Sequence, residues 1–126
     1  MSLNILVVDD SSVMRRMIVR TLEMSGLPLG EVHQAPDGEK ALALLDAHWI
    51  DLALIDIHMP VMDGEEMIAR VRATPDIANL PIVVVSSESS EARIERLRER
   101  VAGFVHKPFT PEGLRATVNH ALGISE

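Results

Sequence analysis

The stretch Ile5-Leu6-Val7-Val8-Asp9-Asp10-Ser11-Ser12 decides the fold, because a β-branched apolar run ends there on two adjacent carboxylates. The run is continuous rather than alternating, which is typical of a strand covered on both faces, as in a parallel sheet. Similar runs recur at Ile50–Ile55, at Ile82–Val85 and, more briefly, around Phe104–Val105. A weaker and more polar run at Val32–Ala35 is predicted to be an edge strand.

Segments with helical periodicity separate these runs. We predict helices over Ser12–Met24, Glu39–His48, Glu65–Ala73, Ser89–Val101 and from Pro111 to Leu122 with Thr110 as N-cap. In the first helix, Met14, Met17, Ile18, Thr21 and Leu22 are expected to share the buried face, and Met24 also fits helix packing. Five βα units in sequence require parallel strands with helices on both faces of the sheet. We therefore predict one α/β domain over residues 1–126, with a single five-stranded, doubly wound parallel sheet.

The composition excludes several classes of function. The 126 residues include 19 acidic and 12 basic side chains, for a net charge of −7, so direct binding to nucleic acid is not expected. The chain lacks Cys, which excludes thiolate metal sites and thiol nucleophiles. No apolar stretch is long enough for a membrane span and the N-terminus lacks a signal pattern, so we predict a cytoplasmic protein without a membrane partner.

Polar side chains follow four of the predicted strands. They are Asp9 and Asp10, Asp56, Ser86, and Lys107. In an open parallel sheet, ligands bind beyond the carboxyl ends of the strands, where these side chains would meet. Each Asp or Ser alone could be a helix cap or a turn residue. Lys107, between an apolar strand and Pro108-Phe109, is harder to explain in this way. The whole set at strand ends favours a functional site.

Three carboxylates brought close together repel one another unless a proton or a cation joins them. Oxygen ligands without clustered His or Cys indicate Mg²⁺, with Mn²⁺ as a substitute. A Lys ammonium and a Ser hydroxyl nearby suit a phosphoryl group, and one carboxylate could be the nucleophile. The pattern predicts phosphoryl transfer onto an aspartate.

At this point the chain resembles a known family. The motifs are Val7-Val8-Asp9-Asp10-Ser11-Ser12, Asp56-Ile57-His58-Met59-Pro60-Val61-Met62-Asp63-Gly64, Val85-Ser86-Ser87 and Lys107-Pro108-Phe109. In this order and spacing, from about residue 4 to residue 122, they resemble the receiver domain of two-component response regulators, and in particular the stand-alone chemotaxis regulators. The resemblance implies a flavodoxin-like fold with strand order 2-1-3-4-5.

The resemblance also implies a role for each site residue. Asp56 would accept the phosphoryl group from a histidine kinase, and Asp9, Asp10, Asp56 and the backbone carbonyl of His58 would hold Mg²⁺. Lys107 would pair with the phosphoryl group, and a cis bond would join it to Pro108. Ser86 would turn its hydroxyl toward the phosphoryl group, and Phe104 would fill the space that this leaves.

By the same resemblance, the switch changes the affinity of the surface formed by the fourth helix, fifth strand and fifth helix for a downstream partner protein. The chain would be a phosphoacceptor that assists its own phosphorylation and dephosphorylation, and not an enzyme with turnover. His58 and Glu88 occupy positions whose side chains could tune dephosphorylation.

Three alternatives stay open. The chain could be the receiver of a larger response regulator. It could be a Mg²⁺-dependent phosphohydrolase with an aspartyl phosphate, although such enzymes normally carry Asp at the position of His58. It could also be a scaffold that is not phosphorylated. The remaining histidines, His33, His48, His106 and His120, have no metal-ligand spacing in the sequence.

Overall fold

The computed structural model describes residues 2–124, so the predicted domain limits at residues 1 and 126 lie outside the described residues. Strands and helices alternate along the described chain. The strands are β1 (Leu3–Val8), β2 (Leu29–Ala35), β3 (Leu52–Ile55), β4 (Ile82–Ser86) and β5 (Gly103–His106). The helices are α1 (Ser12–Met24), α2 (Gly38–Ala47), α3 (Gly64–Ala73), α4 (Glu91–Arg98) and α5 (Pro111–Ala121), with a short 3₁₀ turn at Pro75–Ile77.

The five strands form one parallel sheet in the order β2-β1-β3-β4-β5, which confirms the predicted architecture and strand order. Alternate residues of each buried strand enter two separate apolar layers. Leu6 and Val8 of β1 pack in the layer formed with α2, α3 and α4, whereas Ile5 and Val7 pack in the layer formed with α1 and α5. The helices therefore cover both faces, as the continuous apolar runs indicated.

Several predicted boundaries were wrong. The strand β2 begins at Leu29, three residues before the predicted start, because its polar first half still pairs with β1 at the sheet edge. The strand β3 begins at Leu52 rather than Ile50. The helix α4 covers only Glu91–Arg98, because the Ser90 side chain caps it. The backbone N–H groups of Ser89 and Ser90 donate to the Glu88 carboxylate and do not belong to the helix.

The prediction for the methionines of α1 was also wrong in part. Met17 and Met24 are 52% and 65% exposed, whereas Ile18 and Leu22 are fully buried and form the packing face of α1. Met14 is only partly buried against the layer of α1 and α5. Fewer residues of α1 are therefore buried against the sheet than its apolar pattern predicted. None of the helices within residues 2–124 has the length and apolar character needed to cross a membrane.

Candidate functional site

The site lies at the carboxyl ends of the central strands. Because β1 and β3 pair in parallel with Val8 opposite Ile55, the next residues, Asp9 and Asp56, emerge side by side. The Asp56 backbone N–H donates to the Val8 carbonyl oxygen at 2.9 Å, which holds the two strand ends in register. Carboxylate oxygens of Asp9, Asp10 and Asp56 lie within 4.8 Å of one another.

Asp9 is the most constrained of the three carboxylates. Its side chain is buried, and both of its oxygens accept hydrogen bonds: Oδ1 from the Ser11 backbone N–H at 3.0 Å and Oδ2 from the Lys107 ammonium at 3.0 Å. The Arg15 guanidinium also donates to the Asp9 backbone carbonyl at 2.6 Å. The carboxylate is thus fixed in place beside Asp56.

Asp56 lies in the same buried pocket, but its carboxylate is held less tightly. The nearest charged partner is the Lys107 ammonium, with Nζ 3.6 Å from Oδ2. Burial raises the pKa of the Asp56 carboxyl above its ordinary value, since a charged carboxylate loses hydration there. Lys107 opposes this rise in pKa, the Asp9 carboxylate adds to it, and backbone N–H groups of Ile57 and His58 oppose it.

Lys107 bridges the two buried carboxylates from the end of β5. Its backbone N–H donates to the Ser86 carbonyl oxygen at 3.0 Å, which joins the end of β5 to the end of β4. The peptide bond from Lys107 to Pro108 is cis, as the resemblance implied. The pocket contains the Lys107 ammonium and the carboxylates of Asp9, Asp10 and Asp56, so it keeps an excess of negative charge.

The simpler explanation that these residues are helix caps does not hold. The N-cap of α1 is Ser11, whose hydroxyl accepts from the Met14 backbone N–H, and not Asp9 or Asp10. The N-cap of α4 is Ser90 rather than Ser86. The acidic pair and Ser86 are therefore available to the pocket.

Ser86 and Phe104 lie on the side of the pocket that faces α4. Ser86 is fully buried at the end of β4, and its hydroxyl oxygen accepts from the Glu88 backbone N–H at 3.2 Å. Phe104 in β5 is partly buried against the layer of α2, α3 and α4, and its ring lies 4.8 Å from that of His106. Ser86 thus lies at the end of β4, opposite His106, whereas Phe104 pairs with Val84, two residues before the end of β5.

The side chain of His58 points into an ionic network rather than into the carboxylate cluster. His58 Nε2 lies 3.3 Å from Glu88 Oε1, and the same oxygen lies 3.4 Å from Arg93 Nε. Backbone N–H groups of Ser90 and Ser89 hold the pKa of Glu88 below its ordinary value. The network ties the loop after β3 to the loop after β4 and to α4.

A second part of this network was not predicted. The Glu65 carboxylate, at the start of α3, lies 2.9 Å from Arg93 Nε and accepts from Arg96 Nη2 at 2.9 Å. The hydrogen bond from Arg96 holds the pKa of Glu65 below its ordinary value, and Arg93 adds to the effect. The sequence does not reveal this contact, because Arg93 and Arg96 lie 28 and 31 residues from Glu65 along the chain.

Gly64 is a second residue whose importance the sequence did not reveal. A Cβ built on Gly64 would overlap the Asp56 backbone carbonyl and would lie 2.7 Å from Ile57 Cα. The Gly64 backbone N–H donates to the Ile57 carbonyl oxygen at 2.8 Å. The start of α3 therefore packs directly on the backbone that carries Asp56. The Asp-Gly pair signals a turn in the sequence, but not this contact.

The histidine prediction requires a correction. Although His33 and His48 have no metal-ligand spacing along the chain, the fold brings both of them together with Glu31. Glu31 and His33 belong to the edge strand β2 and His48 follows α2, whereas the acidic pocket lies at the carboxyl ends of β1 and β3.

Comparison with known proteins agrees with the geometry of the acidic pocket. The sequence profile of the response regulator receiver domain matches residues 5–119. The chemotaxis protein CheY1 of Helicobacter pylori is 36% identical over 126 residues, covering 98% of this chain and 100% of that protein. The sensor histidine kinase TmoS of Ectopseudomonas mendocina is also 36% identical, over 95% of this chain but only 12% of the kinase.

The solved structures lead to the same fold. The chemotaxis protein CheY4 of Vibrio cholerae superposes with a TM-score of 0.86 at 33% identity, covering 97% of this chain and 100% of that chain. The similarity therefore includes all five strands and the loops that carry the acidic pocket.

Proposed function

Because the chain belongs to the response regulator receiver domain family, and is thus a phosphorylation-activated switch of a two-component system, we propose that Asp56 accepts the phosphoryl group. The observation that carries the proposal is the position of the Lys107 ammonium, 3.0 Å from Asp9 and 3.6 Å from Asp56. A cation placed between two buried carboxylates is suited to receive the charge of a third anionic group.

Asp56 is the best nucleophile of the three carboxylates. Both oxygens of Asp9 already accept hydrogen bonds at 3.0 Å, so their lone pairs are less available for attack. Asp10 is exposed and its charge is hydrated. Asp56 is buried with a raised pKa, and a more basic carboxylate is a stronger nucleophile.

The pocket fits a hard divalent cation, because among residues 2–124 its three carboxylates, within 4.8 Å of one another, are paired with a single ammonium, that of Lys107. We propose that Asp9, Asp10, Asp56 and the backbone carbonyl of His58 hold Mg²⁺, with Mn²⁺ as a substitute. When bound, the ion supplies positive charge to the phosphoryl oxygens.

The transfer itself forms one bond and breaks one. An Asp56 carboxylate oxygen attacks phosphorus as the bond from phosphorus to the histidine nitrogen of the kinase breaks. The imidazole leaves neutral when its other ring nitrogen carries a proton. Lys107 turns from the carboxylates to a phosphoryl oxygen, and the product is an acyl phosphate on Asp56. In this way the chain assists its own phosphorylation.

The conformational change that follows phosphorylation begins at Ser86. Its buried hydroxyl donates to a phosphoryl oxygen on Asp56 and draws the loop after β4 toward the pocket. Phe104, which is only partly buried, moves into the space that opens. The surface formed by α4, β5 and α5 then has a different shape and binds its partner protein with a different affinity.

The proposed setting is chemotaxis, because the match to a chemotaxis protein covers 98% of this chain and all of that protein. The phosphodonor would be a sensor histidine kinase, and the downstream partner a protein that binds the surface of α4, β5 and α5. The match to a short part of TmoS supports the alternative that this chain is the receiver of a larger protein.

The test is labelling with acetyl phosphate and Mg²⁺, followed by intact mass. The wild-type chain should gain one phosphoryl group and Asp56→Asn none. Asp63→Asn is the matched control, because it removes the same charge at the N-cap of α3, and it should be labelled like the wild type. Undiminished labelling of Asp56→Asn would contradict the assignment. Continuous phosphate release from a broad set of phosphomonoesters would instead indicate a phosphohydrolase.

A further inference from the structure

A second group of potential metal ligands lies on the edge strand, separate from the acidic pocket. It consists of Glu31 and His33 in β2 and His48 at the end of α2. One ligand atom from each residue lies within 4.8 Å of the other two. All three side chains are at least partly exposed, so an ion in solution can reach them.

The distances within the group are close to those of a coordination sphere. His33 Nε2 lies 3.2 Å from Glu31 Oε1. A tetrahedral ion with bonds of about 2.0–2.1 Å separates its ligand atoms by about 3.4 Å, so this pair needs little adjustment. The His48 ring stacks on the His33 ring, with their centroids 4.2 Å apart, and must rotate to turn a nitrogen toward the shared point. Because His48 is exposed, such a rotation meets little resistance.

The backbone around the group is already fixed by hydrogen bonds. Between Leu3 and Ile5 of β1, the strand β2 contains one extra residue, since Leu3 pairs with Leu29 and Ile5 with Val32. The Glu31 backbone N–H donates to the Asn4 side-chain oxygen at 2.9 Å. The His48 backbone N–H donates to the Leu44 carbonyl oxygen at 2.9 Å.

The face of β2 places His33 next to α2. Val32 packs in the layer of α1 and α5, so His33, one residue later, points to the opposite face, where α2 lies. Two segments far apart in sequence thus bring two imidazoles and one carboxylate together at a fixed edge of the sheet.

From this arrangement we propose that Glu31, His33 and His48 form a site for a borderline divalent cation such as Zn²⁺ or Ni²⁺. Two imidazole nitrogens and one carboxylate oxygen suit these ions better than Mg²⁺, which prefers oxygen ligands. Three protein ligands leave at least one position for water. The site joins the edge strand to the end of α2, so the bound ion stabilises the folded chain against unfolding.

Trp49 provides the measurement. It is the only tryptophan of the chain, follows His48 directly and is 77% exposed, so Ni²⁺ in the site should quench its fluorescence. The titration uses the full chain with NiCl₂ in the presence of excess Mg²⁺, which occupies the acidic pocket. We expect saturable quenching with one ion per chain, and displacement of Ni²⁺ by Zn²⁺ should reverse it.

Variants then locate the ligands. His33→Ala and His48→Ala should each weaken Ni²⁺ binding by at least about tenfold. Loss of a residue that only hydrogen-bonds to a metal ligand already lowers metal affinity by about tenfold or more. His120→Ala is the matched control, because His120 is an exposed histidine of α5, on the other face of the sheet, and it should bind like the wild type. Asp10→Asn should also leave the quenching unchanged, which separates this site from the acidic pocket.

Two results would overturn the proposal. The first is quenching that does not saturate, or that stays the same in His33→Ala and His48→Ala. The second is one ion per two chains, which would indicate a bridge between copies instead. Neither result depends on phosphorylation of Asp56, so this test and that of the proposed function can fail separately.

Discussion

Replacing Gly64 with alanine would press a methyl group against the backbone that carries Asp56. The added Cβ would overlap the Asp56 carbonyl and lie 2.7 Å from Ile57 Cα, whereas ordinary contacts begin at 3.4 Å. Both obstacles are backbone atoms at the end of β3, which pairs with β1 on one side and β4 on the other. They can yield only if α3 moves away or the strand end is displaced.

Two opposing effects determine how far Gly64→Ala changes the free energy of unfolding. Forcing extra volume into a packed site costs about 1–3 kcal/mol. Because the atoms that the methyl group meets are backbone atoms of Asp56 and Ile57 rather than a flexible side chain, we expect the upper value of about 3 kcal/mol. Alanine is favoured over glycine in a helix by about 1 kcal/mol. We therefore expect Gly64→Ala to lower the free energy of unfolding by about 2 kcal/mol, or the Tm by about 8 °C. Displacement of Asp56 should also slow phosphorylation by acetyl phosphate.

Urea unfolding followed by circular dichroism measures the stability, and intact mass over time measures the rate of labelling. Gly113→Ala in α5 is the matched control, because its methyl group would meet only the Thr110 hydroxyl oxygen, at 3.1 Å. That variant should stay within about 1 kcal/mol of the wild type. A Gly64→Ala chain as stable as the wild type and labelled at the same rate would refute the argument that α3 packs on the Asp56 backbone.

Three further substitutions test other parts of the structure. Lys107→Ala removes the ammonium that pairs with Asp9 and Asp56, so Mg²⁺ binding measured by calorimetry should tighten while phosphorylation no longer changes partner binding. Weaker Mg²⁺ binding would count against the proposed charge balance. Val61 has a φ of 68°, which is strained for a β-branched residue, so Val61→Gly should raise the free energy of unfolding by about 1 kcal/mol, and a loss of stability would refute this. Glu65→Gln should cost about 0.5–1 kcal/mol at neutral pH, because the ion pairs to Arg93 and Arg96 are partly exposed. In the folded chain the pKa of Glu65 is lowered from its ordinary value of 4.5. The stability that its ion pairs contribute is therefore complete above pH 4.5 and is lost as the pH falls through the folded pKa. A stability difference between the wild type and Glu65→Gln that stays constant from neutral to acid pH would contradict this prediction.

The sequence predicted well those features that follow from the direction of the strands. A continuous apolar run that ends on a polar residue places that residue at one edge of a parallel sheet, whatever the loops do. Asp9, Asp56 and Lys107 therefore met as expected, although 98 residues separate the first from the last. The strand order came from the resemblance to receiver domains, since periodicity alone does not distinguish one parallel order from another.

Features that depend on packing between distant segments were missed. The side chain of Met17 has the right spacing for the buried face of α1, but the neighbouring elements leave it exposed, and the spacing carries no information about that. The contact of Gly64 with the backbone of Asp56 depends on how closely α3 approaches β3. The meeting of His33 and His48 depends on the edge strand and the end of α2, 15 residues apart in the chain.

The most direct test of the account is to locate the phosphoryl group chemically. Borohydride reduces an acyl phosphate to an alcohol, so reduction of the phosphorylated chain followed by peptide sequencing in a mass spectrometer marks the acceptor carboxylate. We predict the reduced side chain at Asp56 and at neither Asp9 nor Asp10. A reduced side chain at Asp9 or Asp10, with Asp56 intact, would contradict the central claim.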